Sequence, residues 1–188
     1  SDRFDAGQQI VTPYLRRSGI GALEVMIISH NDQDHAGGAA AVMANFPVAR
    51  SYYGEPPRQG AARSAAGARS ADCGEARQWH QGGVRFSLLG VGGSTPLSAN
   101  NQSCLLLVEA AGFSVLLPGD IESETEFALL DLMADQVLPR VDVLIAPHHG
   151  SLTSSHPAFL NRLKPSAVVV SAGYQNRFDH PHAQVLAR

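Results

Sequence analysis

Short apolar runs alternate along the chain with stretches of helical spacing. The runs at 23–29 (LEVMIIS), 84–89 (VRFSLL), 103–109 (SCLLLVE), 112–117 (GFSVLL), 141–146 (VDVLIA) and 166–172 (SAVVVSA) have strand length and end at turn residues. Each predicts a strand, and 47–53 predicts another. Residues 23–29, 141–146 and 166–172 carry almost no polar positions, the mark of strands buried on both faces. Ala110-Ala111-Gly112 signals a hairpin between 103–109 and 112–117. Helical spacing predicts helices over 8–18, closed by Gly19, over 36–46, over 122–133 with acids in its first turn, over 156–164, and from 182 onward. Strands interleaved with helices define an α/β protein.

One segment breaks the rhythm. Residues 54–78, GEPPRQGAARSAAGARSADCGEARQ, are rich in Gly, Pro, Ala, Ser and Arg and poor in apolar positions. They predict a long surface loop inserted in a single 188-residue domain. A passive insertion is the first reading, and a basic flap over a polyanionic substrate is the second. The chain has thirteen Arg and one Lys. Arginine suits bidentate phosphate contact, but the abundance of Ala, Gly and Arg together is read first as compositional bias. With 44% apolar residues, 16% charged residues and a net charge of −3, the composition is globular and gives no general attraction to nucleic acid. No run reaches the roughly 18–20 apolar residues of a membrane-spanning helix. Two cysteines, Cys73 and Cys104, are too few for a disulfide scaffold; one disulfide and two separate thiols both remain open.

The chemistry-bearing residues fall at the ends of strands. Residues 23–29 run into His30-Asn31-Asp32-Gln33-Asp34-His35, and 112–119 run into Asp120. Residues 141–147 run into His148-His149-Gly150-Ser151, and 166–173 run on to His180-Pro181-His182. Six of the eight histidines lie in these clusters. Ligands of α/β sheets bind beyond the carboxyl ends of strands. Several carboxylates and imidazoles brought together without a cation would repel one another or take up protons. A divalent metal removes that problem, because neutral imidazole and carboxylate are both good ligands. Residues 30, 32 and 34 alternate, so an extended loop would point them one way and turn His35 to the other, giving two neighbouring metal sites.

Each cluster has a plainer alternative. Asp120 suits a helix N-cap, and His180 and His182 flank a proline and suit a rigid turn. His80 and His156 have no partners in sequence and are read as structural. GVGGS at 90–94 resembles a phosphate loop only in its glycines and is read as a turn. No G-x-S-x-G elbow is present.

At this point the sequence resembles the metallo-β-lactamase fold family. The family's H-x-H-x-D-H motif matches His30 to His35, with Asp32 in place of the second His. Its glycine-aspartate motif matches Gly119-Asp120, and its late histidine matches the His148-His149-Gly150-Ser151 stretch. More narrowly, VTPYLRRSGI, SHNDQDHAGG, NNQSCLLLVE, LLPGD, APHHGSLTS and FDHPHAQVL are similar to the soluble domain of ComEC-type DNA-uptake (competence) proteins. One departure stands out. The family's third-motif histidine would fall near Asn100, where Asn100, Asn101 and Ser103 stand instead.

The resemblance implies a four-layer αββα sandwich, clipped at both ends relative to the family. It implies two divalent metal ions, Mn²⁺ or Zn²⁺, with Mg²⁺ a further candidate because the site is rich in oxygen. His30 and Asp32 would hold one, Asp34, His35 and His149 the other, and Asp120 would bridge, with His148 as a further ligand. Asp34, Asp120, His180 and His182 are the catalytic candidates; Asn100, Asn101, Ser103 and Ser151 are candidates for substrate contact. The implied activity is metal-dependent hydrolysis of phosphodiesters, degrading the DNA strand that is not taken up. The implied partners are DNA, the membrane channel part of the same parent protein and other competence proteins. The implied location is the extracytoplasmic (periplasmic) side of the inner membrane. Two alternatives stand beside it: another hydrolase of the same fold acting on a small ester, lactone or phosphodiester, and a non-catalytic domain that guides DNA to a channel.

Overall fold

The computed structural model describes residues 4–55, 69–75, 77–90, 98–135 and 141–188. Most of the segment predicted as a loop, 56–68, and most of the GVGGS stretch, 91–94, lie outside the described residues. The chain divides into two compact units, at Cys73 and Gly74.

The first unit opens with a π-helical turn, Gly7–Val11, that runs into helix α1, Thr12–Arg17. Val11 and Thr12 are both in the right-handed helical region, so the two run on without a break, and Pro13, which has no N–H to donate, stands directly after the π turn. Strand β1 (Leu23–Ile28) leads to a short helix α2 (Gln33–Ala36), then α3 (Ala39–Asn45) and β2 (Val48–Tyr53). Strand β3 (Arg69–Asp72) completes a parallel sheet of order β1-β2-β3. Its core is small: Ile28, Ala39, Met43 and Tyr53 are buried, with Met26, Ala36 and Val48 packed against them.

The second unit begins with β4 (Arg77–Gln81), joined to β5 (Val84–Leu89) through Gly82-Gly83. Both glycines have positive φ, 58° and 79°, as a two-residue hairpin turn of type I′ demands. A 3₁₀ turn at Asn100–Gln102 precedes β6 (Leu105–Ala110), which pairs with β7 (Phe113–Leu117). Then come helix α4 (Ser123–Asp135), β8 (Val143–Ile145), helix α5 (Pro157–Leu163), β9 (Ala167–Val169) and α6 (Ala183–Leu186). The sheet order is β4-β5-β6-β7-β8-β9, antiparallel up to β7 and parallel from β7 to β9. Leu107 lies opposite Leu116, and Leu116 opposite Leu144, so one sheet face carries a row of buried leucines. Ile121 (just before α4), Leu129 (on α4), and Phe159 and Leu163 (on α5) belong to the same buried cluster. Fully burying side chains of this size contributes about 1.5–3 kcal/mol each before conformational entropy is charged against it.

Three expectations need correction. The loop predicted over 54–78 contains strand β3 at 69–72 and the start of β4 at 77. Parallel pairing with β2 supplies the hydrogen bonds that a composition rich in Ala, Ser and Arg does not advertise. The strand expected to be buried at 166–172 is shorter, and Ala167, Val168 and Val169 are exposed, because β9 is the edge of its sheet. Lastly, the helix expected over 36–46 is preceded by a separate helical turn, α2, which begins inside the His/Asp cluster.

Candidate metal centre

In the first unit, β1 ends at Ile28 and delivers Ser29, His30 and the residues that follow to its carboxyl end. The extended hexapeptide expected here is absent. Asp32 has extended dihedrals (φ −69°, ψ 152°), but its carbonyl accepts from His35 N at 3.0 Å and Ala36 N at 2.7 Å. Asp34 and His35 therefore sit in a helical turn with Asp32 at its N-cap position, a place that Asp favours. The turn folds the four side chains together. Asp32 Oδ2 is 3.8 Å from His30 Nε2, and Asp34 Oδ2 is 3.9 Å from His35 Nε2. The two rings are tilted at 45° with centroids 4.2 Å apart. His30 is buried, whereas Asp32 and Asp34 are largely exposed.

Ser29, which sequence reasoning passed over, organises both imidazoles. Its Oγ is 2.9 Å from His35 Nδ1 and 3.2 Å from His30 Nδ1. A hydroxyl oxygen has two lone pairs, so both rings can donate Nδ1–H to it. In that tautomer both Nε2 atoms carry lone pairs, as metal ligation requires. A ligand atom of His30 and one of His35 lie within 4.8 Å of each other, as do one of Asp34 and one of His35. Glu55 holds the loop from the other end: its Oε2 accepts from Asn31 N at 2.9 Å.

In the second unit, parallel pairing of β7, β8 and β9 delivers three clusters to one sheet edge. Beyond β7 lies Asp120, nearly buried, whose N–H donates to Ser103 Oγ at 3.0 Å. Beyond β8 lies a 3₁₀ turn, Pro147–Gly150, with His148 (φ 47°), His149 (φ 55°) and Gly150 (φ 82°) all left-handed. Such conformations cost a non-glycine residue about 1–2 kcal/mol, and strain of this kind concentrates at functional sites. The turn aims His149 Nε2 at Asp120 Oδ2, 3.5 Å away, and His148 Nε2 at the same oxygen, 4.0 Å away.

The second nitrogen of His149 settles its tautomer. Nδ1 lies 2.6 Å from the carbonyl oxygen of Ser171, so Nδ1 donates and Nε2 of the neutral ring carries the lone pair. A lone pair facing a carboxylate oxygen at 3.5 Å calls for a cation or a proton between them. A ring N–H given to a backbone carbonyl is also the usual support of a metal-binding histidine. His148 is supported by Thr153 Oγ1 at 3.2 Å and Glu122 Oε1 at 3.4 Å from its Nδ1. Thr153 in turn donates to that Glu122 oxygen at 2.8 Å. On donor chemistry, imidazole nitrogens oriented through their far atoms beside carboxylates, the residues fit divalent metal.

Beyond β9, the segment up to His182 brings His180 over the same histidines. Its ring lies 5.7 Å from that of His148, 6.3 Å from that of His149 and 5.5 Å from that of His182. Burial pushes the His180 imidazole below its ordinary pKa; His148, His182 and His149 act in the same direction and Asp120 opposes them. His182 N donates to Gly150 O at 3.0 Å, which ties this segment to the strained turn.

The candidates for substrate contact divide. Asn100 Nδ2 lies 3.5 Å from His148 Nε2, beside the cluster. Asn101 is buried and committed to the start of α4: its Oδ1 accepts from Glu122 N, its Nδ2 donates to Glu124, and its carbonyl accepts from Thr125 Oγ1. Ser103 is engaged with Asp120 N, and Ser151 Oγ meets Thr153 Oγ1 at 3.2 Å. His156 caps α5, accepting from Ala158 N at 3.2 Å, which agrees with a structural reading. Neither cysteine is free: Cys73 and Cys104 are both disulfide-bonded and buried.

Comparison with known proteins identifies the class. Residues 2–174 match the model of the metallo-β-lactamase superfamily, and the chain belongs to that family and has its fold. It is similar to Recombination protein 2 of Haemophilus influenzae, 35% identical over 95% of this chain and 21% of that protein. It is similar to ComE operon protein 3 of Bacillus subtilis, 32% identical over 97% of this chain and 24% of that protein. It is also similar to Competence protein ComA of Neisseria gonorrhoeae, 34% identical over 97% of this chain and 25% of that protein. The chain thus spans about a quarter or less of these relatives' length; it is a metallo-β-lactamase-fold domain that is similar to part of these proteins. Its fold is also that of a CmlA beta-hydroxylase variant, with a TM-score of 0.52, 15% identity, and coverage of 87% of this chain and 38% of the other.

Proposed function

We propose that this domain is a metal-dependent phosphodiester hydrolase that acts on DNA and degrades the strand not taken up during competence. The observation that carries metal dependence is the lone pair of His149 held against the Asp120 carboxylate by the Ser171 carbonyl. The similarity to competence proteins supports DNA as the substrate, and supports the membrane channel part of the same parent protein and other competence proteins as partners. Two disulfide-bonded cysteines favour an oxidising, extracytoplasmic compartment. No helix among the described residues is long and apolar enough to cross a membrane.

In this reading the ligands are His30, Asp32, Asp34, His35, Asp120, His148 and His149, and the ions are Mn²⁺ or Zn²⁺, with Mg²⁺ as a third candidate. A bound divalent pair supplies a water acidified to a pKa near 7 and a counter-charge for the leaving oxygen. The chain's own residues do the rest. Ser29 and the Ser171 carbonyl fix the ring tautomers, and Asp120 balances charge. Asn100 contacts the substrate phosphate from beside His148. His180 or His182 gives a proton to the leaving oxygen.

The test is cleavage of labelled single- and double-stranded DNA after chelation, then with Mn²⁺, Mg²⁺ or Zn²⁺ restored, beside Asp34→Asn. Metal-restored cutting that the variant loses supports a metallonuclease. A second reading, a DNA-guiding module without turnover, is favoured by the departure from the family motif: its third-motif histidine would fall near Asn100, where Asn100, Asn101 and Ser103 stand. It is the outcome if DNA and metal both bind and no ion restores cutting.

A further inference from the structure

The turn between Gly173 and His180 is exposed and yet tightly built. Tyr174 is 93% exposed and Phe178 56% exposed, a large apolar area for a water-facing segment. The turn is held by one side chain used to its full capacity. Asn176 Oδ1 accepts from Phe178 N at 3.1 Å and His180 N at 3.0 Å, and its Nδ2 donates to Gly173 O at 3.0 Å and His180 O at 2.6 Å. That is all an amide side chain can make. Gln175 and Asp179 adopt left-handed conformations on either side of it. A segment so constrained, presenting aromatic rings to water, has a shape fixed before anything binds.

Its rings continue the candidate site outward. The Arg177 guanidinium lies 4.6 Å over the Phe178 ring, Phe178 stacks on His180 at 5.6 Å and 23°, and His180 stacks on His149 at 6.3 Å and 24°. A guanidinium, a phenyl ring and two imidazoles thus form one stack from the surface to the histidine that faces Asp120. Nucleobases stack on aromatic rings and on arginine planes, and such stacking tolerates any base sequence. Residues 173–180 hold one formal positive charge, Arg177, and one negative, Asp179, so ring surface rather than net charge is the turn's main attraction.

We propose that the 173–180 turn is a base-stacking platform for a single-stranded polynucleotide, with Tyr174 and the Arg177–Phe178 pair taking bases next to the phosphodiester presented to the histidines. This inference rests on the proposed DNA substrate and adds to it a single-stranded preference and the element that confers it.

The experiment is equilibrium binding of fluorescent oligothymidylate, and of an abasic strand of the same length, to the chelated full chain at fixed salt. Wild type is compared with Tyr174→Ala and Tyr174→Ala/Phe178→Ala, and hydrolysis of bis(p-nitrophenyl) phosphate by the metal-restored proteins is measured in parallel. The expected result is at least about a fivefold loss of oligothymidylate affinity for Tyr174→Ala and a greater loss for the double variant. Abasic-strand binding and small-diester turnover by Tyr174→Ala stay at wild-type levels. Equal oligothymidylate affinity in Tyr174→Ala, or equal loss on the abasic strand, overturns the platform while leaving the hydrolase reading intact. Base-dependent binding without turnover of any diester overturns the hydrolase reading alone, and a wild type that binds neither strand overturns the platform.

Discussion

The carboxylate of Glu126, wholly buried on α4, accepts hydrogen bonds from the backbone N–H of Ser155 at 2.5 Å and of His156 at 2.8 Å. Ser155 is left-handed (φ 57°), and Arg188 donates to the carbonyls of Ser154 and Ser155 beside it. An acid in the first turn of a helix suits the helix dipole, but this one also fastens the loop that follows His148 and His149.

Burial raises the Glu126 carboxyl to a pKa of about 7, against the opposing pull of the His156 and Ser155 amides and of Arg188. The unfolded chain releases this proton near pH 4.5, where the folded one still holds it. Between those values the folded state binds more protons, so stability falls as pH rises from about 4.5 to about 7, by a few kcal/mol, and then levels off. Urea unfolding across that range should show this slope, and Glu126→Gln should remove it. Glu126→Gln should also cost about 1–3 kcal/mol at acidic pH, since its NH₂ cannot accept from an amide.

Ser29 holds two imidazoles through one oxygen. Ser29→Ala should loosen both rings and lower metal affinity by about 10–100-fold, the usual effect of losing such a support. Competition titration against a chelator measures this, and circular dichroism should show the fold unchanged.

Gly150 has φ 82°, and a Cβ built on it would lie 2.7 Å from Pro181 Cβ. Gly150→Ala combines left-handed strain of about 1–2 kcal/mol with that clash. A fall in thermal midpoint is expected, with weaker metal binding, because the displaced turn carries both histidines. Unchanged midpoint and affinity would show that the turn accommodates a methyl group.

Much of the fold was legible because apolar periodicity reports it directly: β1, β5, β6, β7 and α4 lie within two residues of where the pattern puts them. β4 was missed although Gln81-Gly82-Gly83-Val84 is a hairpin signal, because Arg77–Gln81 carries a single large apolar residue, Trp79. β3 has no signal of its own; it exists by pairing with β2. The His/Asp clusters stood out by density at strand ends, and the parallel register of β7, β8 and β9 is why strand ends mattered. What stayed hidden was the supporting set. Ser29, Glu55, Glu122, Thr153 and Glu126 act through hydrogen bonds to groups up to 31 positions away, and nothing in the local pattern of a serine or a glutamate announces its partner.

Chemistry in this domain is proposed to depend on metal held through Asp120. The most direct measurement is bound metal per chain by mass spectrometry, with DNA cleavage read in the same samples, for wild type and Asp120→Asn across a titration from the chelated state. Wild-type cleavage should rise as up to two ions bind per chain, and Asp120→Asn should lose both metal and cleavage while keeping its fold. Cleavage that persists in the chelated protein, or an Asp120→Asn variant that cuts at the wild-type rate, would contradict that dependence.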